Sequence, residues 1–183
     1  MNKSEIKIAI IGLGYVGLPL AVEFAKKYKV IGFDINQNRI EELEKNNDST
    51  LEIKDEAISS VRDNLNFTSS INDIKDCNIY IVSVPTPVDE FNKPNIEPLI
   101  SSSKSVGSVI KKDDIIIYES TVYPGVTEDI CAKELESSSG LKFNKDFFCG
   151  YSPERVNPGD KINTLTKITK ITSGSIPDIA DKV

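Results

Sequence analysis

Ile8-Ala9-Ile10-Ile11-Gly12-Leu13-Gly14-Tyr15-Val16-Gly17 decides the fold of this chain. An apolar run ends in G-x-G-x-x-G, and a helical pattern starts at once. A second apolar run, Val30-Ile31-Gly32-Phe33, ends in Asp34, near the distance expected of an acid that answers such a loop. Strand, glycine turn, helix and acid-tipped strand are the parts of a βαβ unit that holds a dinucleotide. Gly12 permits the tight turn, Gly14 leaves room for a pyrophosphate, and Gly17 allows close helix packing. With Leu13, Tyr15 and Val16 between them, they form the expected cofactor loop. The phosphates belong at the helix N-terminus, where unpaired N–H groups and the helix dipole favour negative charge. Asp34 is placed to accept hydrogen bonds from both ribose hydroxyls, and its charge repels a 2′-phosphate, which favours NAD over NADP. The competing reading of Asp34 is a strand-end acid that caps the next helix.

Composition narrows the class. The chain has 183 residues, enough for one domain with a sizeable core. Its net charge of −6 argues against a nucleic-acid partner, which needs basic surface. No apolar run approaches the roughly 20 residues that span a bilayer. The start, Met1-Asn2-Lys3-Ser4-Glu5, has no signal-peptide form. The expectation is therefore a cytoplasmic protein with no membrane partner. Three scattered cysteines, Cys77, Cys131 and Cys149, without a C-x-x-C, argue against a disulfide framework or a metal site. They read as buried small hydrophobes. With no histidine in the chain, any general acid or base here is a carboxylate, lysine, tyrosine or water.

Apolar strand patterns alternate with helical ones along the whole chain. Strands are expected at 6–11, 30–34, 65–68, 78–84, 114–120 and 147–151, with one more at 167–172. Helices are expected at 15–27, with Val16, Leu20 and Phe24 on one stripe, and at 36–45, with Ile40 and Leu43 inward. Further helical segments are expected at 55–63, 97–110, 127–136 and from 176 onward. A helical turn over 70–75 has Ser70 as its expected cap. This order predicts an α/β fold: a Rossmann-like, doubly wound, mostly parallel sheet with helices on both faces. Ligands in such sheets bind beyond the C-terminal strand ends. The unusual loops 12–17, 34–36, 85–87, 119–121 and 152–160 all fall there.

Each of these loops carries candidate chemistry. Arg39, a turn into the second helix, could reach the adenine side, or could be a solvated surface arginine. Val84-Pro85-Thr86-Pro87 is a stiff wall that offers the Thr86 hydroxyl near a nicotinamide, or an ordinary rigid loop. After the strand at 114–120, Ser120 and Thr121 face the same edge. Thr121 could hold a catalytic water or a substrate oxygen, and Glu119 reads as a structural strand-end acid. In Tyr151-Ser152-Pro153-Glu154-Arg155-Val156-Asn157-Pro158-Gly159-Asp160, Glu154 is a candidate general base or water positioner. Arg155 could face a phosphate or carboxylate. An acid beside an arginine is also an ordinary surface ion pair.

Taken together, these motifs resemble the NAD-binding half of the UDP-glucose/GDP-mannose dehydrogenase family. The matching segments are I-G-L-G-Y-V-G-L-P-L (11–20), G-F-D-I-N (32–36), V-P-T-P (84–87), E-S-T-V-Y-P-G-V-T (119–127) and Y-S-P-E-R-V-N-P-G-D-K (151–161). They stand in the family's order and cover nearly the whole chain. The E-S-T-V-Y-P-G and P-E-R-V-N-P-G forms are most similar to the branch that oxidises UDP-N-acetylhexosamines, UDP-N-acetylglucosamine above all, for capsule or surface polysaccharide of the Vi type. The resemblance implies two NAD-dependent oxidations at C6 of a UDP-sugar, from alcohol to carboxylate. It gives Thr86 and Thr121 places near the nicotinamide and the catalytic water, and Glu154 a role in oxidation and thioester hydrolysis. Arg155, Val156 and Asn157 match a loop that contacts the sugar nucleotide. Where the UDP-glucose branch tends to carry a second glutamate, this chain has Pro158, as the acetamido-sugar branch would.

The departure from the family is as informative. Its second oxidation uses a cysteine nucleophile in a G-x-C-x-P-x-D motif, and none of the three cysteines has those surroundings. The family's linker-helix lysine is also missing. The resemblance therefore implies that residues 1–183 form a truncated NAD-binding domain, inactive alone, of an enzyme that works as a homodimer or higher homo-oligomer. The other readings are a β-hydroxyacid or 6-phosphogluconate-type dehydrogenase domain, against which the P-E-R-V-N-P-G-D segment counts, and a non-catalytic NAD sensor, which leaves the S-P-E-R loop unexplained and would lack an evident DNA-binding helix pair.

Overall fold

In the computed structural model, residues 5–88, 90–155 and 167–183 are described. Among the described residues, the glycine-loop strand β1 (Lys7–Ile11) lies in the interior of a seven-stranded sheet, next to its central strand. The other strands are β2 (Lys29–Phe33), β3 (Leu65–Thr68), β4 (Ile79–Val82), β5 (Ile115–Tyr118), β6 (Phe148–Tyr151) and β7 (Ser173–Gly174). Their order is β3-β2-β1-β4-β5-β6-β7. All pairings are parallel except β6 with β7. The order reverses direction between β1 and β4, which makes the crevice beyond their C-terminal ends the place for a ligand.

Alternation along β1 builds the core. Ile8 and Ile10 face one side, with Leu18, Ala21 and Val22 of α1 (Gly17–Ala25) and Ile40 and Leu43 of α2 (Gln37–Glu44). Ala9 and Ile11 face the other, with Leu99 and Val106 of α4 (Glu97–Gly107) and Leu135 of α5 (Ala132–Ser139). Between α2 and α4 in sequence lies the short helix α3 (Asp55–Ser59), and α6 (Pro177–Ala180) closes the described chain. Because both faces are covered, the central strands read as unbroken apolar runs. The expected stripe of α1 holds for Leu20, while Val16 and Phe24 are only partly buried against the core.

Three local expectations are corrected. The helix expected at 127–136 opens as a π-helical segment, Val126–Cys131, before α5. Val126 and Cys131 are both buried, and residues five apart share a face only in a turn wider than the α-helix's 3.6 residues. The last strand is not at 167–172 but at Ser173–Gly174, antiparallel to β6. Ile168 and Ile171 are three apart, which misses the strand period of two, and Ile171 is exposed. Ser70 makes no side-chain cap at the 3₁₀ turn Ile71–Ile74. Thr68 does the local work instead: its Oγ1 accepts from Ser70 N at 3.0 Å and donates to Asp73 Oδ2 at 2.6 Å.

Candidate functional site

The loops beyond β1, β2, β4, β5 and β6 converge on one cleft of about 280 Å³. Gly12 turns the chain with φ of +90°, and its N–H donates to Phe33 O at 2.9 Å. A β-carbon on Gly12 would press on Ser83 and Val84, which pins this loop to the end of β4. Gly14 lines the cleft, and a β-carbon there would meet nothing within 4 Å. That open space beside bare backbone suits a pyrophosphate. α1 follows with no side chain capping its first turn, and Pro19, which has no N–H, falls within it. The helix therefore presents its N-terminal dipole to the cleft without a protein anion in place.

Asp34 is half-buried at the cleft's other end. Its Oδ2 accepts from Leu13 N at 2.8 Å and its Oδ1 from Asn36 N at 2.9 Å. Each oxygen keeps a further lone pair for a hydroxyl. Asp34 therefore does not cap α2, as the competing reading had it; it braces the glycine loop and the residue before the helix, and stays open to a ribose. Asn36 caps α2, its side chain accepting from Asn38 N at 3.0 Å and Arg39 N at 3.4 Å.

The third wall is Val84-Pro85-Thr86, which faces Ser120 and Thr121 from the loop after β5. Two hydrogen bonds tie them together: Thr86 Oγ1 donates to Thr121 O at 2.8 Å, and Ser120 Oγ donates to Val84 O at 2.6 Å. Glu154 completes the lining from the loop after β6, its Oε1 accepting from Arg155 N at 2.7 Å. Glu119 forms the floor. It is buried and ion-paired with Lys170. Burial pushes its carboxyl up; Lys170 pulls it down and nearby Glu154 pushes it up again, with a raised value as the net result. Glu119 also lines a second, mostly apolar cavity of about 460 Å³ that runs along Leu20, Phe24 and Tyr28.

Gly12, Gly14, Tyr15, Val16, Asp34, Val84, Pro85, Thr86, Ser120, Thr121 and Glu154 thus share one cleft. Leu13 and Gly17 stand behind its wall, both buried. Arg155 is exposed. Val156 and Asn157 lie outside the described residues. Arg39 is not a solvated surface arginine: it is 8% exposed, and its Nε donates to Leu13 O at 2.9 Å. All three cysteines are buried, and burial raises their thiols, Cys77 to about 11. None is poised as a nucleophile.

Three contributors escape a reading of the sequence. Ser83 Oγ donates to Ile11 O at 3.1 Å and Gly12 O at 2.9 Å, holding the glycine turn. Lys170 and Asp48 act on the site from segments that carry no motif. For Asp48 the Asp-Ser-Thr run is a turn signal, but it does not say what the turn holds.

The family model of the UDP-glucose/GDP-mannose dehydrogenase family, NAD binding domain, matches residues 6–178. This chain belongs to that family. A UDP-N-acetyl-D-glucosamine 6-dehydrogenase of Pseudomonas aeruginosa is 58% identical over 98% of this chain and 42% of its own length. Another, of Salmonella typhi, is 55% identical over the same shares. Among solved structures, a UDP-D-ManNAc dehydrogenase of Pyrococcus horikoshii aligns at a TM-score of 0.84 and 32% identity, over 97% of this chain and 44% of that one. The chain spans less than half the length of these dehydrogenase relatives and corresponds to the family's NAD-binding domain. The cleft fits that cofactor: open backbone at Gly14, an uncapped helix start and a half-buried carboxylate at the end of β2.

Proposed function

We propose that this domain serves a UDP-N-acetylhexosamine 6-dehydrogenase, which takes C6 of the sugar from alcohol to carboxylate in two NAD-dependent steps. The observation that carries the reading is the single cleft gathering the glycine loop, Asp34, Thr86, Thr121 and Glu154 at the strand ends. The high identity to two UDP-N-acetyl-D-glucosamine 6-dehydrogenases favours UDP-N-acetylglucosamine as substrate. The product would feed a capsule or surface polysaccharide, of the Vi type by the resemblance of the motifs. A cytoplasmic, homo-oligomeric enzyme is part of the same reading; among the described residues no helix is long and apolar enough to cross a membrane.

In this reading the backbone of residues 12–17 holds the pyrophosphate and Asp34 the adenosine ribose, with Arg39 behind it. When bound, NAD supplies the hydride acceptor. Val84, Pro85 and Ser120 shape the nicotinamide end, where the Thr86 and Thr121 hydroxyls orient the ring and a water. Glu154 takes the proton from the C6 hydroxyl, directly or through that water, and Arg155 with Val156 and Asn157 contacts the sugar nucleotide.

The test uses the full-length protein with UDP-N-acetylglucosamine and NAD. Two NADH are expected per sugar, and Glu154→Gln is expected to slow turnover by roughly 10²- to 10⁴-fold. NADH formed from a small hydroxyacid, and from no UDP-N-acetylhexosamine, would overturn the reading.

A further inference from the structure

Asp34 and Arg39 grip the same residue from opposite sides. Leu13 N–H donates to Asp34 Oδ2 at 2.8 Å, and Leu13 C=O accepts from Arg39 Nε at 2.9 Å. A guanidinium thus stands one residue away from the acid that would select the ribose. An arginine in that neighbourhood is the usual means of accepting a 2′-phosphate. Here it is not available. Its Nη2 donates to Asp48 Oδ1 at 2.7 Å. Its Nη1 donates to Glu42 Oε1 at 2.9 Å and Ser49 Oγ at 3.4 Å.

Both carboxylates are themselves held in place. Asp48 is 2% exposed, and it also accepts from Thr50 N and Oγ1, Glu52 N and Ile53 N. Glu42 accepts from the backbone and hydroxyl of Ser49. Neither can turn away without breaking several hydrogen bonds. The Arg39 guanidinium is therefore ion-paired with two carboxylates, Glu42 and Asp48.

We propose that Asp48 and Glu42 are specificity-determining residues, which occupy Arg39 and so keep the domain from accepting a 2′-phosphorylated dinucleotide. Asp34 repels the extra phosphate, while Glu42 and Asp48 occupy a neighbouring cation that could offset that repulsion. The inference rests on the reading that Asp34 faces the adenosine ribose.

The test compares NADP with NAD in the full-length protein by calorimetry. The variants are Glu42→Gln, Asp48→Asn and the pair together. Each keeps the side-chain shape and removes one charge, and Glu42, at 20% side-chain exposure, is the milder change should Asp48→Asn fold poorly. The ratio of NADP to NAD dissociation constants is expected to fall by about tenfold in the double variant, the scale of a single hydrogen bond to a charged group. The gain should shrink as salt is raised, and adding Arg39→Leu should abolish it. If both affinities fall together and the ratio holds, the carboxylates only brace the loop and the proposal is wrong. Asp34→Ala, titrated in parallel, isolates the underlying reading: unchanged NAD affinity there would remove the ribose site itself.

Discussion

A β-carbon on Gly17 would lie 1.8 Å from the carbonyl oxygen of Gly12 and 2.5 Å from Ser83 Oγ. The third glycine of the loop is therefore demanded by the turn that precedes the helix and by the end of β4. The second is different, since Gly14 has open space where its β-carbon would be. Two alanine substitutions should accordingly separate folding from binding. Gly17→Ala must push backbone apart and should cost about 1–3 kcal/mol of stability, with NAD affinity lost alongside. Gly14→Ala should leave the melting temperature close to that of the parent and still weaken NAD, because its methyl group enters the space for the pyrophosphate. Calorimetric titration with thermal melts checks both. Full NAD affinity in Gly14→Ala would mean the phosphates lie elsewhere.

Asp34 makes two backbone hydrogen bonds of its own, so removing it has two consequences. Asp34→Ala should lower stability by about 1 kcal/mol per lost bond. It should also weaken NAD beyond what the structural loss explains. Asp34→Asn separates the effects. It keeps one acceptor oxygen for the loop, and its neutral amide ends the repulsion of a 2′-phosphate, so NADP should gain on NAD. A variant that loses stability with no change in NAD affinity would leave only the role of bracing the loop.

Much of this was legible because a few residue types have few uses. Glycines spaced between an apolar run and a helix, and an acid closing the next run, are demanded by local backbone geometry, which sequence carries directly. The mostly parallel, doubly wound sheet follows from the alternation of strand and helix patterns. What stayed hidden depends on tertiary neighbours. Arg39 looks like any helix-surface arginine until Asp48, on the turn after the same helix, folds back against it. Ser83 is one serine after an apolar strand until Gly12 lies beside it. Lys170 lies in the stretch expected as a strand at 167–172, and nothing in that stretch names Glu119 as its partner.

Asp48 gives a pH prediction. Burial alone would raise its carboxyl, but hydrogen bonds from Thr50, Ile53 and Arg39 outweigh that and hold it below its ordinary value. A lowered folded-state value means the unfolded chain takes up the proton more readily. The stabilisation is therefore complete above about pH 4, the ordinary aspartate value, and fades as pH falls through the lowered one. The stability gap between the parent and Asp48→Asn, measured by urea unfolding, should be flat from neutral pH down to about pH 5 and close below about pH 4. A gap that persists into strong acid would mean that packing, not charge, anchors this loop.

The buried pair of Glu119 and Lys170 makes the opposite case. Here burial prevails and the Glu119 carboxyl is raised, with Glu154 adding to the effect and Lys170 opposing it. Taking away the lysine leaves a carboxylate buried alone on the floor of the cleft. Lys170→Met should thus cost about 3 kcal/mol at neutral pH, the scale of a broken buried pair. The cost should shrink toward pH 5 and below, because the isolated Glu119 then takes up a proton and its charge disappears. Adding Glu119→Gln to Lys170→Met should recover most of the loss at neutral pH, since the orphaned charge is gone and the amide nearly fills the same space. Chemical denaturation of the two variants across pH reads this out. A Lys170→Met deficit that is independent of pH and not relieved by Glu119→Gln would show that the lysine acts through packing of its methylenes rather than through its charge.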